Sequence, residues 1–376
     1  MVQKKRQAGN PITLLRQHGL KVLLGAVATG SFALAFGQEK IQQIVSVGSG
    51  STGACLTQFY QKTPPYLMRE SLNKDSYPLC FNGFNVMYSG VSKTPLWVAE
   101  ALTPARLSQK IPREDSFHEE DRVKASHRAT LADYRGSGYD RGHMAPNADM
   151  PTKDAQYDSF SLANMVPQAP KNNQQIWREL EEATRAIVTK QKQELYVITG
   201  PAYTSKNLKK IGKGVLVPTS TYKAIYIPKQ GIAGAYYAPN DNSLKVEIVS
   251  ICYLEEQLGI NLFPTLSEEQ KRNTYQLPLT ATAVKANKKI EYAHWDAESQ
   301  CADDVGEDDL KRLQKEFKSQ TVSAPVLPEL NSTGMESSKS TESEKSNEGQ
   351  STQDQVIKRL LELLFDFILG LLRNIF

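Results

Sequence analysis

The sequence predicts an α+β fold, and three observations support this prediction. Short apolar runs rich in β-forming residues are grouped along the chain and do not alternate strictly with helices. One long amphipathic helix stands out between two groups of these runs. The chain has 376 residues, of which 40% are hydrophobic and 23% charged, enough for one substantial globular domain with additional segments at its ends.

The predicted strands are short runs separated by Gly, Pro and Asn residues, which are typical of turns. Two neighbouring runs come first, and three more follow the helix. These five runs cover residues 84–90, 95–103, 194–203, 214–227 and 244–254.

The helix is predicted over residues 172–190. Trp177, Leu180 and Ile187 recur there at three- and four-residue steps together with Thr184, and polar residues lie between them. Asn172 or Asn173 is the predicted N-cap.

The first 35 residues are typical of a secretory signal peptide. Five positively charged residues precede an apolar run. This run ends in the small-x-small pattern of a cleavage site at residues 33–35. We therefore expect an exported chain, periplasmic or secreted, that begins near Phe36; the alternative is an uncleaved membrane anchor. Without residues 1–35 the formal charge is −1, so any affinity for polyanions must come from a local basic cluster.

Composition divides the rest of the chain into four segments. Residues 36–79 form a lead-in with a Gly/Ser-rich start, and residues 80–318 form the main domain. Residues 319–353 are rich in Ser, Thr and Glu, which predicts a disordered linker. Residues 354–376 predict an amphipathic helix that lies on a membrane surface, self-associates or docks on the main domain.

All four cysteines follow the expected cleavage site, and an exported chain meets an oxidising compartment. Two disulfides are therefore expected, with three connectivities open. The sequence-local pairing of Cys55 with Cys80 and of Cys252 with Cys301 is favoured. Because no two cysteines lie at metal-ligand spacing, the sequence does not predict a zinc site.

The stretch YDRGHMAP, residues 139–146, carries the strongest chemical signal. Within one turn it offers His143 as a candidate general base, Arg141 as a planar cation suited to phosphate, and Gly142, which permits close backbone approach.

Together with HRATLADYRGSGY before it, and with SLANMVPQ, NNQQIWRELE and VITGPAY after it, this stretch resembles the DNA/RNA non-specific endonuclease family. The segment ADYRGSGYDRGH is especially close to the endonuclease G branch. The resemblance runs from about Cys80 to about Cys301. It implies the ββα-metal (His-Me finger) nuclease fold, with a central, mostly antiparallel sheet flanked by helices.

The resemblance also implies roles for single residues. His143 matches the general base that deprotonates the attacking water. Asn173 matches the sole protein ligand of a Mg²⁺ ion, for which Mn²⁺ could substitute, and Glu181 matches a residue that holds a metal-bound water. Arg141 matches a phosphate-contacting arginine. Asn164 falls on a family site position behind the residues that contact substrate.

A second phosphate-contacting arginine matches Arg113 loosely, with Arg106 and Arg128 as competitors. The implied activity is hydrolysis of DNA and RNA to 5′-phosphate ends, with little sequence preference. The sequence does not decide whether the chain forms a homodimer or binds an inhibitor protein. Two rival functions remain: a catalytically silent nucleic-acid-binding protein tethered at a membrane, and a phosphodiesterase for a non-nucleic substrate.

Overall fold

The computed structural model describes residues 55–323 of the chain. Sixteen strands lie in this part. They are β1 (Tyr66–Leu67), β2 (Ser76–Cys80), β3 (Asn85–Ser89), β4 (Thr94–Leu102), β5 (Asp140–His143), β6 (Met165–Gln168), β7 (Leu195–Ala202), β8 (Lys210–Ile211), β9 (Val215–Leu216), β10 (Ser220–Ile227), β11 (Ile232–Pro239), β12 (Glu247–Val249), β13 (Ile260–Asn261), β14 (Asn273–Tyr275), β15 (Tyr292–Trp295) and β16 (Val322–Ser323).

Eight α-helices accompany the strands in the described part. They are α1 (Glu70–Asn73), α2 (Pro104–Ser108), α3 (Leu131–Tyr134), α4 (Lys153–Ser159), α5 (Arg178–Gln191), α6 (Ile251–Leu258), α7 (Glu268–Arg272) and α8 (Glu307–Gln320). A π-helical segment, Asn172–Trp177, leads directly into α5, and short 3₁₀ turns lie at Tyr60–Lys62, Asn147–Asp149 and Leu162–Asn164.

The central sheet has eight strands in the order β12-β11-β10-β7-β4-β3-β2-β16. Seven of them pair antiparallel, and β16 joins β2 in parallel. The predicted α+β class with a mostly antiparallel sheet is confirmed. All eight residues of β10 are buried, because both faces of the sheet are covered.

Alternate residues of the central strands contribute to two separate cores, as the period of a strand requires. In β4, Val98 joins one core, while Trp97 and Ala99 join the other. The first core contains the apolar side of α5, including Leu180. The second contains α6 and the aromatic ring of Phe317 from α8.

Both ends of the described part extend the domain beyond its predicted limits. At the N-terminal end, Phe59 is buried and β2 belongs to the central sheet, so the described part of the predicted lead-in, residues 55–79, belongs to the folded domain. At the other end α8 and β16 run past residue 318, where the linker was expected to begin. The reason is packing: Phe317 lies 5.1 Å from Phe59 and 6.0 Å from Trp97, measured between ring centroids.

The two disulfides join Cys55 to Cys80 and Cys252 to Cys301, which confirms the sequence-local pairing. No helix in residues 55–323 has the length and apolar character needed to cross a membrane. The predicted signal peptide 1–35, most of the predicted linker 319–353 and the predicted terminal helix 354–376 lie outside the described residues.

The long predicted helix starts earlier than expected. Helical conformation begins at Pro170, and the N–H of Asn173 donates to the carbonyl oxygen of Ala169. The prediction that Asn172 or Asn173 is the N-cap is therefore wrong. Proline at the first helical position, where no N–H partner is needed, explains the earlier start.

Candidate active site

Two paired strands and the following helix bring the predicted residues together. Strand β5 pairs antiparallel with β6, so that Asp140 faces Gln168 and His143 faces Met165. The chain then continues into the π-helical segment and α5. This succession is a ββα unit, and its helix carries Asn173 and Glu181.

Gly142 allows the two strands to meet in this way. A Cβ atom at this position would lie 2.0 Å from Oε1 of Gln168, a distance that no real side chain tolerates. The close approach inferred from the motif is thus a contact between β5 and a side chain of β6.

The ββα unit opens onto a cleft of about 1190 Å³. His143, Asn173, Glu181, Arg141 and Arg113 all line it. Six basic and four acidic side chains border the cleft, so its lining is positive. This is the local basic cluster that affinity for a polyanion would need. The basic ones are Lys110, Arg113, Arg135, Arg141, Arg178 and Arg185, and the acidic ones are Asp115, Asp140, Glu181 and Glu182.

The imidazole of His143 is enclosed by aromatic rings. Its centroid lies 5.8 Å from that of Phe117 and 5.1 Å from that of Phe160. The pKa of His143 is lowered from 6.5 to about 3, chiefly by burial; the charges of Arg113 and Arg141 contribute to the lowering, and the charge of Asp115 opposes it. The imidazole is therefore neutral at physiological pH.

One ring nitrogen of His143 is shut off from the cleft. Nε2 is buried and has no hydrogen-bond partner among the described residues. The other nitrogen, Nδ1, is thus the atom that can accept a proton from a molecule in the cleft.

The side chain of Asn173 is oriented by Asp140. Nδ2 of Asn173 donates to Oδ2 of Asp140 at 2.9 Å, and Nε2 of Gln174 donates to the same oxygen at 2.8 Å. Because an ionised carboxylate only accepts hydrogen bonds, this contact fixes which end of the amide faces Asp140. The amide oxygen of Asn173 has no hydrogen bond to any described residue and is free to bind a ligand.

A divalent metal fits this donor set only if it keeps most of its water. No group of three or more His, Cys, Asp or Glu side chains that could enclose a metal exists among the described residues. One free amide oxygen beside a carboxylate suits a hard cation such as Mg²⁺, which dehydrates reluctantly and commonly binds through one or two protein oxygens.

Glu181 lies on the cleft wall, where burial raises its pKa from 4.5 to about 7. The charges of Lys223 and Arg185 oppose this shift. The π-helical turn between Asn173 and Glu181 rotates the chain by less per residue than an α-helix does, which brings the two side chains closer to one direction than an unbroken α-helix would.

The two predicted phosphate-binding arginines differ in their surroundings. The guanidinium of Arg141 lies 3.8 Å above the ring of Phe117 and forms no ion pair within residues 55–323. Arg113 is exposed, and its Nε donates to Oδ1 of Asp115 at 2.6 Å.

The competing arginines do not line the cleft. Arg106 is internal: it donates to the carbonyl oxygens of Gly83, Ala101 and Asp149 and pairs with Glu100 at 3.2 Å. Arg128 pairs with Glu119 and Asp121 outside the cleft. Geometry therefore favours Arg113 over both.

Asn164 does not reach the cleft. It is completely buried, its Oδ1 accepts from the N–H of Ala145, and its Nδ2 donates to the carbonyl oxygens of Ala145 and Ser159, each at 2.9 Å. The side chain thus fixes the backbone that follows His143.

The roles of three residues of the site were not predicted from the sequence. Asp140 and Gln174 orient Asn173, as described above. Arg185 lines the cleft one helical turn after Glu181, and its Nη1 donates to Oδ1 of Asp149 at 2.9 Å. The four-residue spacing from Glu181 is the signal that could have identified Arg185.

A neutral imidazole, an amide oxygen free to bind a ligand and an unpaired arginine line one cleft, an arrangement suited to cleavage of phosphodiesters. The family model for DNA/RNA non-specific endonucleases matches residues 66–293. The chain belongs to this family and is a nuclease, a phosphodiester hydrolase.

Several relatives are similar over about half of the chain. Mitochondrial endonuclease G of Homo sapiens is 36% identical over 214 residues, which cover 52% of this chain and 69% of that protein. A nuclease of Nostoc sp. is 35% identical over 214 residues, 52% of this chain and 76% of that protein. The solved EndoG/EndoGI complex matches with a TM-score of 0.48 and 27% identity, over 52% of this chain and 89% of that chain.

Proposed function

We propose that the protein is a Mg²⁺-dependent endonuclease that hydrolyses both DNA and RNA, with His143 as its general base. The observation that carries the proposal is the shared cleft: a neutral imidazole, the free amide oxygen of Asn173 and the guanidinium of Arg141 all line it. These groups supply what hydrolysis of a phosphodiester requires, which is a proton acceptor, a metal site and a phosphate contact.

His143 would accept the proton of a water molecule at Nδ1. The low pKa keeps the imidazole in its basic form throughout the physiological range. The same low pKa limits how strongly it attracts a proton, and the negative charge of a bound phosphate would raise it toward the working pH.

Asn173 would hold the metal through its amide oxygen, and Glu181 would accept hydrogen bonds from water in the metal's hydration shell. When bound, Mg²⁺ or its substitute Mn²⁺ would stabilise the negative charge that develops on the phosphate and on the leaving oxygen. Asp140 keeps the amide of Asn173 in the orientation this binding requires.

The arginines would bind the nonbridging phosphate oxygens. Arg141 rests one face on Phe117, which leaves the N–H groups at its edge available to phosphate. Contacts of this kind do not read base edges, so we expect cleavage with little sequence preference. Attack of water on phosphorus, with cleavage of the bond between phosphorus and the 3′ oxygen, would leave 5′-phosphate and 3′-hydroxyl ends.

We further propose that the protein acts after export, in a periplasmic or extracellular setting. The two disulfides support this, since such bonds persist in oxidising compartments.

Digestion of plasmid DNA and of total RNA by the full chain, with Mg²⁺ and with EDTA, tests the proposal. The expected result is loss of both polymers only with metal, and fragments that a 5′-phosphate-dependent exonuclease can degrade. A chain that binds both polymers in EDTA but cuts neither with Mg²⁺ or Mn²⁺ would instead be a silent nucleic-acid-binding protein.

A further inference from the structure

A second positive surface lies on the β8–β9 hairpin, outside the cleft. We call it the basic hairpin and define it by Lys206, Lys209, Lys210 and Lys213. All four side chains are exposed, and none forms an ion pair with a residue in the described range 55–323. Exposed cations that pair with no carboxylate in the described part of the chain are available to an external anion.

The hairpin is fixed to the body of the domain and is not a free loop. Ile211 and Val215 are buried in a small core together with Tyr134 and Met165. The N–H of Lys213 donates to Oδ1 of Asp133 at 2.5 Å. The backbone therefore holds the lysines in place, while their side chains contribute nothing to the core.

The residues that hold the hairpin also form one wall of the cleft. Leu131, Tyr134 and Tyr139 pack in the small core with Ile211 and Val215, and the same three residues line the cleft. Arg135 follows Tyr134 directly and lines the cleft as well. The cleft and the hairpin thus share one wall, and Arg135 lies two residues after Asp133, to which the hairpin is bonded.

The carboxylate of Asp133 offsets only one of the four positive charges of the basic hairpin. Its oxygens accept hydrogen bonds from the N–H and hydroxyl of Thr130 and from the N–H of Lys213. These bonds lower the pKa of Asp133 against the effect of burial, so it is ionised, but it is buried under the hairpin and makes no ion pair with the lysines.

Resting on the proposed function, we propose that the basic hairpin binds the phosphate backbone of a nucleic acid whose scissile phosphate lies in the cleft. The ligand is a nucleic acid and not an acidic protein or a lipid surface because the hairpin shares a wall with the cleft that, in the proposed function, receives a phosphodiester. A polymer that crosses the cleft and leaves over Arg135 meets Lys213 and Lys210 next. The hairpin adds affinity for long substrates without reading their sequence.

The test is the salt dependence of duplex DNA binding by the full chain in EDTA, measured by fluorescence anisotropy. Each lysine that contacts a phosphate adds about 0.9 to the slope of log affinity against log salt. We expect the triple variant Lys209→Gln, Lys210→Gln, Lys213→Gln to lower this slope by about 2 to 3. The matched triple variant Lys209→Arg, Lys210→Arg, Lys213→Arg keeps the charge and should retain the wild-type slope.

A second control makes the same charge change elsewhere. Lys285, Lys288 and Lys289 are also exposed, and they lie beside Gln191 at the far end of α5. Their triple Gln variant should change the slope by less than about 1. Thermal unfolding checks that every variant is folded.

Equal slopes in the two Gln variants, whether both lowered or both unchanged, would overturn the proposal. So would a hairpin variant that keeps its DNA affinity but no longer binds vesicles containing phosphatidylglycerol. Because binding is measured in EDTA, the result does not depend on cleavage, and failure of the proposed nuclease mechanism would be recognised separately in the plasmid digestion.

Discussion

At the scale of single residues, the orientation of one amide determines which atom of Asn173 is available to a metal. Asp140 fixes this orientation because its carboxylate accepts a hydrogen bond from the NH₂ group of Asn173. We expect Asp140→Ala to raise the Mg²⁺ concentration needed for half-maximal cleavage by about 10- to 100-fold, the usual cost of losing such a supporting contact. Gln174→Ala removes only the second donor to the same oxygen and should have a smaller effect. An unchanged metal requirement in Asp140→Ala would show that Asn173 is held by other contacts.

The lowered pKa of His143 makes stability depend on pH. Between the folded value of about 3 and the unfolded value of 6.5, the unfolded chain binds more protons than the folded chain. The stabilisation is complete above pH 6.5 and is lost as the pH falls toward 3. In urea unfolding at several values between these limits, the free energy of unfolding of the wild type should rise with pH more steeply than that of His143→Gln, by at most about 1.4 kcal/mol per pH unit. Parallel curves would contradict the burial of a neutral imidazole.

Gly142 is required by the contact between β5 and β6. Its replacement by alanine forces Gln168 to move, and overpacking of this kind typically costs about 1 to 3 kcal/mol. Gly234, in β11, is the matched control, because a Cβ there comes no closer than 3.4 Å to any atom. Urea unfolding should therefore show a clear loss for Gly142→Ala and little change for Gly234→Ala. Equal losses of unfolding free energy in the two variants would mean that the contact with Gln168 is not the cause of the destabilisation.

At the scale of elements, helix α8 belongs to the folded domain through Phe317. Its ring packs against Phe59 and Trp97, so Phe317→Ala should lower the free energy of unfolding by about 3 to 5 kcal/mol. Lys318→Ala, at the neighbouring exposed position, should change it by less than about 0.5 kcal/mol. Chemical denaturation of both variants measures the difference. A tolerated Phe317→Ala would place the end of the domain near residue 306.

Local patterns predicted some elements and missed others. The amphipathic period of residues 172–190 is strong because one side of that helix faces the core, and the helix was located to within two residues at each end. Strand β11 was missed since its sequence, IAGAYYAP, combines Gly and Ala with aromatic residues and carries no clear alternation. The single predicted strand 214–227 is divided into β9 and β10, because Pro218 interrupts the run.

At the scale of the whole molecule, the sequence revealed the chemistry of the site better than the contacts that support it. His143 and Arg141 lie within one motif, so their proximity was predictable. Asp140 acts on a residue 33 positions away, which requires the tertiary fold. The extension of the domain to residues 55–79 was hidden for the same reason: Phe59 acquires its role only from Trp97 and Phe317.

The most direct test of the account is plasmid cleavage by His143→Ala and Asn173→Ala, compared with the wild type over a range of Mg²⁺ concentrations. General base catalysis contributes about 10²- to 10⁴-fold, so His143→Ala should lose that much kcat at every metal concentration. Asn173→Ala should instead require far more metal for the activity that remains. A His143→Ala variant that is folded and cleaves DNA at the wild-type rate would contradict the central claim that His143 is the general base.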